Sequence, residues 1–285
     1  MKKIVVLAKQ VPDTENVGDH AMKEDGTVNR AKLPAIFNPE DLNALEMALQ
    51  IREELGGTVT VISMGPPGAK EILKHSLYMG ADHVYLISDR KFAAADTLAT
   101  SYVLAETVKY LGDCDLVLAG RQAIDGDTAQ VGPQTAEKLD FNQITYVDEL
   151  LEIDDEHLVV QRDGEKQMEE IKSYFPLLLT VTSNANEPRY PDSRKMLQYF
   201  RADLAENFED GMKEKAEENG WLIPVLDAEG LGLEEERCGL TGSPTRVHNI
   251  KNIKLAGGDL EIYSEKDEGI RDLVKDIMKD YVEVE

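Results

Sequence analysis

Short apolar runs alternate with amphipathic segments along the first two-thirds of the chain. The apolar runs have the length of buried strands and cover residues 3–8, 58–64, 84–87 and 115–119. The segments between them place apolar residues at helical spacing and begin with residues suited to helix N-termini, at 38–41, 69 and 96–97. Strands that alternate with helices form parallel sheets covered by helices on both faces. The pattern therefore predicts an α/β, Rossmann-like domain with a parallel sheet.

The pattern changes after residue 139. Four strand-like segments with short turns predict a β-rich, partly antiparallel extension, at residues 144–151, 157–162, 168–173 and 177–182. Residues 184–242 give few core signals, and Glu, Pro, Gly and Asn dominate, so we expect them to run over the surface or over a partner. A last strand at 245–255 and a closing helix at 267–281 would form an extended C-terminal arm. The inner face of that helix would carry Ile270, Leu273, Val274 and Ile277.

These changes in pattern predict three parts. Residues 1–183 would form a nucleotide-binding α/β domain, and residues 184–242 would form a recognition loop and a partner-wrapping segment. Residues 243–285 would form a C-terminal strand and helix.

At the helix start predicted at 38–41, Asn38 is a candidate cap, Pro39 fits the first turn, and Glu40 and Asp41 suit the positive end of the helix dipole.

The chain is strongly acidic, with 31 Lys and Arg against 55 Asp and Glu and a formal net charge of −24. Such a surface repels nucleic acid and anionic membranes. No run of eighteen apolar residues and no signal-peptide core occurs, so we expect a cytoplasmic protein without membrane insertion.

The two cysteines are far apart and the five histidines lack ligand spacing, so we expect neither a disulfide framework nor a metal site. No nucleophile or general-base constellation is present, so we expect no catalytic residue and no activity from the isolated chain.

The most informative stretch is the loop after the fourth apolar run, at residues 120–134. It follows a buried strand, contains glycines and leads into a predicted helix at 128–139 that Asp127 or Thr128 would cap. Free N–H groups at such a helix start form a phosphate site, and here Thr128, Ala129, Gln130 and Val131 would supply them. Gly126 would let a phosphate approach the backbone. Asp125 and Asp127 would stabilise the turn or contact a ribose, and the alternative is a purely structural strand-to-helix turn.

Several further motifs occur together with this loop. They are Lys-Gln-Val-Pro-Asp at 9–13, Asn-Pro at 38–39, Met-Gly-Pro at 64–66, Met-Gly-Ala-Asp at 79–82, Asn-Glu-Pro-Arg-Tyr at 186–190 and Gly-Ser-Pro-Thr at 242–245. In this order and spacing they resemble the beta (small) subunit of electron transfer flavoprotein. The resemblance runs without a break to about residue 200 and more loosely to the end. It implies a fold like that of the adenine-nucleotide α-hydrolases, a heterodimer with an alpha subunit that holds its own FAD, and electron transfer through flavin.

The family has two branches, which differ in the ligand of the beta subunit. One holds AMP as a structural element, and the other holds a second FAD and includes electron-bifurcating members. The loop at 125–133 and the Asp-Thr-Leu-Ala-Thr motif at 96–100 resemble the second branch. The resemblance therefore favours FAD in this chain, with AMP as the alternative.

The resemblance also implies an electron path. In the bifurcating branch NADH supplies the electrons, which divide between ferredoxin or flavodoxin and an acyl-CoA-dehydrogenase-type flavoprotein. The alternative is a non-bifurcating carrier that moves electrons between a dehydrogenase and a quinone reductase. An ATP-binding stress or signalling module on the same fold would need a Gly-Ser/Thr phosphate motif at its last strand–helix turn, and we find none.

Carrying the family's sites onto matching positions gives two groups of candidate residues. The cofactor group is Leu7, Ala8, Lys9, Asn38, Asp41, Met64, Asp96, Thr97, Thr100, Gly120, Arg121, Gln122, Ala123, Asp125, Gly126, Asp127, Thr128, Ala129, Gln130 and Val131. The partner-binding group is Glu187, Pro188, Arg189, Tyr190 and Leu197. For Leu7 and Met64 ordinary core packing is the alternative, and Arg121 would either supply charge near a flavin or pair with an acid.

Overall fold

A computed structural model describes residues 1–13, 33–245, 262–264 and 266–282. The described residues fall into two compact units, 1–13 with 33–245 and 262–264 with 266–282. The first unit contains thirteen strands: β1 Lys2–Leu7, β2 Gln10–Pro12, β3 Ala35–Phe37, β4 Gly57–Met64, β5 His83–Ile87, β6 Leu116–Gly120, β7 Asn142–Ile153, β8 His157–Asp163, β9 Met168–Tyr174, β10 Leu177–Val181, β11 Asp203–Leu204, β12 Leu222–Ile223 and β13 Val225–Leu226. Its helices are α1 Pro39–Leu55, α2 Lys70–Met79, α3 Thr97–Tyr110, α4 Val131–Leu139, α5 Ser193–Tyr199 and α6 Lys213–Glu218, and the second unit contains α7 Asp267–Val282.

A nine-stranded sheet forms the centre of the first unit, in the order β13-β5-β4-β1-β6-β10-β7-β8-β9. The strands from β13 to β7 pair in parallel, and β7, β8 and β9 form an antiparallel meander. The mostly parallel, Rossmann-like sheet confirms the predicted α/β class, and the meander confirms the predicted β-rich extension.

Side chains on the two faces of β1 enter two separate hydrophobic clusters. Ile4 and Val6 pack with residues of α1 and α2, and Val5 and Leu7 pack with residues of α3 and α4. This alternation follows from the two-residue period of a strand that is buried on both sides. The sheet is therefore covered by helices on both faces.

The position of β1 determines where a ligand can enter. After β1 the chain builds β4 and β5 on one side, and it then crosses to the other side of β1 to form β6. In open parallel sheets the crevice at such a switch in strand order, at the carboxyl ends of the strands, is where ligands bind. Here that crevice lies between the ends of β1 and β6.

Residues 184–242 differ from the sequence prediction of a surface segment with few core contacts. The strand β13 from this segment adds to the central sheet beside β5, and β11 and β12 form a small parallel pair. Six apolar side chains of this segment are buried, namely Ala202, Leu204, Ala216, Ile223, Ala228 and Cys238. Their positions follow neither the helix period nor the strand period over any length, which is why the sequence did not indicate them.

The C-terminal predictions have mixed outcomes. The closing helix is confirmed as α7, but Ile270, Leu273 and Val274 are exposed on it rather than packed on an inner face. Most of the predicted strand at 245–255 lies outside the described residues. Among the helices that the structure describes, none combines the length and the hydropathy needed to cross a membrane.

Candidate functional site

The carboxylate of Asp41 joins the two strand ends that border the crevice. Its Oδ2 accepts a hydrogen bond from the Lys9 N–H after β1 at 2.8 Å, and its Oδ1 accepts one from the Gly120 N–H at the end of β6 at 2.9 Å. A Cβ on Gly120 would lie 2.5 Å from Asp41 Oδ1, so only glycine allows α1 to approach this closely. Burial raises the pKa of Asp41 from 3.8 to about 7, although both backbone N–H groups oppose the shift.

Asn38 and Glu40, at the start of the same helix, hold the loop that follows β6. Glu40 Oε2 accepts a hydrogen bond from the Gln122 N–H at 2.9 Å. Asn38 donates from Nδ2 to the Gln122 carbonyl at 2.9 Å and accepts from the Ile124 N–H at 3.1 Å. The position of Asn38 in the sequence predicted that its side chain caps α1. The side chain does not cap the helix, because both of its polar atoms bond to the loop.

Arg121 pairs with an acid, which was one of its two predicted roles. Its Nη2 lies 2.9 Å from Glu40 Oε1, and its guanidinium stands 5.7 Å from the centroid of the Tyr146 ring. Burial raises the pKa of Glu40 despite the hydrogen bond from Gln122 and the charge of Arg121. The Arg121 Nε atom is buried without a hydrogen-bond partner in the part of the chain that is described, so this cation has unused donor capacity beside the crevice.

The loop after β6 has a different conformation from the prediction. The helix α4 begins at Val131, not at residue 128, and Gln130 occupies the cap position. The N–H groups of Gly126 and Asp127 both donate to the Ala123 carbonyl, and Asp127 and Ala129 have positive φ angles of 49° and 51°. These left-handed residues end the turn before the helix can start.

Two predicted roles in this loop are therefore wrong. Thr128, Ala129 and Gln130 do not form the first helical turn, and Asp127 does not cap it, because Asp127 accepts a hydrogen bond from Gln122 Nε2 at 3.1 Å instead. Val131 does lie at the helix start, where an N–H has no acceptor within the helix. A Cβ at Gly126 would meet nothing within 4 Å, so the backbone there is open to approach from outside the chain.

An ion pair crosses the crevice above Asp41. Lys9 Nζ lies 2.7 Å and 2.8 Å from the two carboxylate oxygens of Asp125. Both side chains are partly exposed, so the pair contributes little stability, on the order of 0–1 kcal/mol. The pair places the Lys9 ammonium group at the mouth of the crevice, where it neutralises the charge of Asp125.

The start of α3 is joined directly to the loop. Asp96 caps α3 by accepting from the Leu98 and Ala99 N–H groups at 3.0 Å. The Thr97 hydroxyl donates to Gln130 Oε1 at 2.9 Å. Thr100 is half-buried in the first turn of α3, where its N–H donates to the Asp96 carbonyl at 2.9 Å. The two motifs at 96–100 and 125–133 are therefore neighbours in space.

Ser243 and Thr245 lie at the same place, although the sequence analysis did not include them among the site residues. The Asp96 N–H donates to Ser243 Oγ at 2.8 Å, and the Thr245 N–H donates to Asp96 Oδ2 at 3.1 Å. Burial raises the pKa of Asp96, but the hydrogen bonds from Thr245, Ala99 and Leu98 outweigh burial and lower it. The Gly-Ser-Pro-Thr motif was the available signal, but nothing in the sequence indicated that it contacts residue 96.

Leu7, Ala8 and Met64 lie at strand ends that border the crevice. Leu7 and Ala8 are buried, and Met64 is partly buried against the same cluster as Leu7. The Leu7 side chain is therefore a core residue, which was the alternative given for it. Only the backbone of this segment and the partly exposed Met64 can face a ligand.

The candidate partner loop is fixed to the same helix that holds the crevice. The Arg189 guanidinium forms ion pairs with Glu46 at 2.7 Å and Glu53 at 2.5 Å, both on α1. Asn43 Nδ2 donates to the Asn186 carbonyl at 2.7 Å, and Asn186 Nδ2 donates to the Asn43 carbonyl at 3.0 Å. These contacts hold the Arg189 guanidinium against α1.

Two large apolar side chains of this region are exposed. Tyr190 is 93% exposed and Leu197, on α5, is 76% exposed. Glu187 is exposed and Pro188 is half-buried. Exposed apolar side chains on a loop that is fixed at its base suit contact with another protein.

The crevice as a whole suits an anionic, nucleotide-like ligand. It combines a strand-order switch, an open backbone at Gly126, two adjacent helix starts and the cations Lys9 and Arg121. The acids around it are paired or hydrogen-bonded: Asp125 with Lys9, Glu40 with Arg121, and Asp41 with two backbone N–H groups.

Comparison with known proteins gives a consistent result. Residues 25–205 match the electron transfer flavoprotein domain. The electron transfer flavoprotein subunit beta of Thermoanaerobacterium thermosaccharolyticum is 43% identical over 256 residues, covering 89% of this chain and 90% of that protein. The caffeyl-CoA reductase-Etf complex subunit CarD of Acetobacterium woodii is 44% identical, covering 90% of each. The acryloyl-CoA reductase electron transfer subunit gamma of Anaerotignum propionicum is 37% identical, covering 98% of this chain and 99% of that protein. The chain belongs to the electron transfer flavoprotein family, as a beta subunit.

Proposed function

We propose that this beta subunit binds FAD in the crevice between β1 and β6 and works in flavin-based electron bifurcation with an alpha subunit. The observation that carries the proposal is the hydrogen bond between Thr97 and Gln130. It joins the two motifs that resemble the FAD-holding branch of the family. It also sets the start of α3 beside the loop that leads into α4.

A diphosphate needs more donors than a single phosphate, and this junction supplies them. The N–H groups at the start of α4 and the partly exposed Arg121 guanidinium would hold the diphosphate, and the Lys9 ammonium group would exchange its pairing with Asp125 for the phosphates. Each helix-end contribution is modest, about 0.3–1 kcal/mol, so several must converge for firm binding. The open space beside Gly126 supports the approach of a phosphate to the backbone.

The alternative ligand is AMP, held as a structural element. In that case the chain would be a simple electron carrier between a dehydrogenase and a quinone reductase. The resemblance of residues 96–100 and 125–133 to the FAD-holding branch favours FAD. The names of the relatives from Acetobacterium woodii and Anaerotignum propionicum, which place them with CoA-ester reductases, also favour a reductase complex.

When bound, FAD would supply the chemistry of hydride acceptance from NADH and electron delivery to two acceptors, because flavins exchange electrons singly or in pairs. One acceptor would be ferredoxin or flavodoxin. The other would be the FAD of the alpha subunit, which serves an acyl-CoA-dehydrogenase-type flavoprotein. The residues of this chain bind and orient the cofactor, and the loop with Tyr190 and Leu197 would contact the dehydrogenase.

Anaerobic titration of the purified heterodimer with NADH tests the proposal. We expect bleaching of flavin absorbance equivalent to two flavins per heterodimer, and ferredoxin reduction only when the CoA-ester substrate and the dehydrogenase are both present. Bleaching of one flavin by a dehydrogenase, with no response to NADH, would favour the AMP-binding carrier.

A further inference from the structure

We propose that Asp41 is a positioning residue of the nucleotide site and that its carboxylate takes up a proton when an anionic nucleotide enters the crevice. The inference rests on the nucleotide site proposed above. It adds a proton from solvent to the binding step and makes affinity depend on pH.

The geometry gives Asp41 control over both walls of the crevice. Its two oxygens accept hydrogen bonds from Lys9 and Gly120, which lie 32 and 79 residues away along the chain. The residue is only 6% exposed, so water cannot replace these bonds. The sheet pairs β1 with β6 up to Leu7 and Ala119, and the Asp41 side chain adds a second link between the backbone at Lys9 and at Gly120.

The charge of Asp41 lacks a paired cation. Among the described residues no Lys, Arg or His forms a salt bridge with it. The charged groups on the elements that face it are already committed: Glu40 pairs with Arg121, and Lys9 pairs with Asp125. Asp127 accepts from Gln122 and adds further negative charge near Glu40, and β10 carries no ionisable residue. A buried carboxylate in this setting ionises reluctantly, and burial raises its pKa to about 7.

An anion in the crevice shifts the protonation equilibrium of Asp41 further toward the neutral carboxyl group. Negative charge added near a buried carboxylate disfavours its ionised form, so a proton from solvent binds to it. A protonated carboxyl keeps enough lone pairs to accept both N–H groups, so the two strand ends stay joined. A nucleotide that raises the pKa of Asp41 by one unit would take up about half a proton near pH 7.5 and would bind about tenfold more weakly at pH 9 than at pH 6.

Calorimetry of FAD binding measures this uptake. FAD is titrated into the full-length heterodimer after the nucleotide of this chain has been removed, in two buffers that differ in ionisation enthalpy. FAD suits the test because its diphosphate does not titrate between pH 6 and pH 9. We expect an uptake of about half a proton in the wild-type protein and close to none in Asp41→Asn.

Asp89→Asn is the matched control. Asp89 also accepts from backbone N–H groups of two separate segments, at Lys91 and Ala228. It differs in that the Lys91 N–H lowers its pKa, so it does not titrate near pH 7. We expect the proton uptake of this variant to equal that of the wild-type protein.

The possible outcomes separate the inference from the proposed function. FAD binding without proton uptake would overturn the inference alone, as would full uptake in Asp41→Asn. If Asp41→Asn does not fold, NMR of carboxyl-labelled wild-type protein provides the test, and the absence of a carboxyl that titrates near pH 7 and shifts upward with FAD would overturn the inference. A wild-type heterodimer that binds no FAD would contradict the proposed function, and the inference would fail with it.

Discussion

At the scale of single residues, the crevice depends on positions where the gain or loss of one side-chain atom would change the packing of α1 against the end of β6. Gly120 is the clearest case, because three atoms of Glu40 and Asp41 surround the place where its Cβ would lie. Asn38 is another, because both polar atoms of its side chain are committed to the loop after β6. These roles are set by contacts between segments far apart in sequence.

Gly120→Ala should disrupt the crevice. The added Cβ would lie 2.5 Å from Asp41 Oδ1 and 2.8 Å from the Asp41 backbone nitrogen, so α1 must move away from β6. We expect a loss of about 1–3 kcal/mol in the free energy of unfolding, together with loss of bound nucleotide. Urea denaturation and nucleotide extraction measure the two effects.

Gly126→Ala is the matched comparison for that substitution. Its Cβ would have no neighbour within 4 Å, so the protein alone should tolerate it with a change within about 0.5 kcal/mol. If the phosphates approach here, nucleotide affinity should still fall. Equal destabilisation by the two substitutions would contradict the account of Gly120.

Asp41 should also make the ligand-free protein lose stability as pH rises. Its pKa is raised from 3.8 to about 7 in the folded state, so the folded protein retains a proton that the unfolded chain has released. Stability is then greatest below about pH 4 and falls as pH rises to about 7, by at most about 1.4 kcal/mol per pH unit. Asp41→Asn should remove this slope in urea denaturation, and parallel pH profiles of the two proteins would count against it. Burial lowers the pKa of His75, but both proteins contain this residue, so its effect on the two pH profiles is the same.

At the scale of elements, α1 connects the two functional regions. Its first residues hold the loop after β6, and Asn43, Glu46 and Glu53 farther along hold the partner loop. A helix packed on the sheet is a rigid support for both. The sequence predicted α1 as an amphipathic core helix, with Asn38 as a cap and with Glu40 and Asp41 suited to the helix dipole, and the family resemblance added Asn38 and Asp41 to the cofactor group. The contacts of Asn38 and Glu40 with residues more than 80 positions away could not be read from local pattern.

Arg189→Ala should loosen the partner loop without disturbing the crevice. Removal of the guanidinium leaves the carboxylate of Glu46 buried without its ion-pair partner, and Arg189 hydrogen bonds are what hold the pKa of Glu46 low against burial. We expect a loss of about 1–2 kcal/mol in stability, faster hydrogen exchange at residues 186–190 and weaker binding of the dehydrogenase.

Arg194→Ala provides the control for this effect. The Arg194 side chain forms no hydrogen bond or salt bridge with the described residues, and it lies on the neighbouring helix α5. We expect its exchange rates at residues 186–190 to match those of the wild-type protein. Similar exchange in all three proteins would show that the ion pairs do not hold the loop.

At the scale of the whole molecule, the sequence predicted the regular parts of the fold and missed the irregular ones. The α/β class, the meander and the closing helix follow from periodic patterns that a strand or helix imposes on its own residues. The start of α4 was placed three residues early, because positive φ angles at Asp127 and Ala129 leave no trace in the hydrophobic pattern. The addition of β13 to the sheet was missed because a two-residue strand has no period to detect.

We expect the exposed apolar residues of α7 to contact the alpha subunit. Leu273 and Val274 are 39% and 52% exposed, and Ile270 and Met278 are exposed beside them. We expect the double substitution Leu273→Glu and Val274→Glu to weaken heterodimer formation at least tenfold and to leave the unfolding midpoint of the nucleotide-binding unit unchanged. Sedimentation equilibrium and thermal unfolding measure the two quantities. Arg271→Glu on the same helix is the control and should leave the affinity near that of the wild-type protein.

The ligand of the crevice is the central claim, and extraction of the purified heterodimer tests it most directly. Acid extraction followed by chromatography counts FAD and AMP per heterodimer, and the same count on Gly120→Ala assigns the second flavin to this chain. We predict two FAD and no AMP in the wild-type heterodimer, and one FAD in the variant. One FAD with one AMP in the wild-type heterodimer would contradict the account.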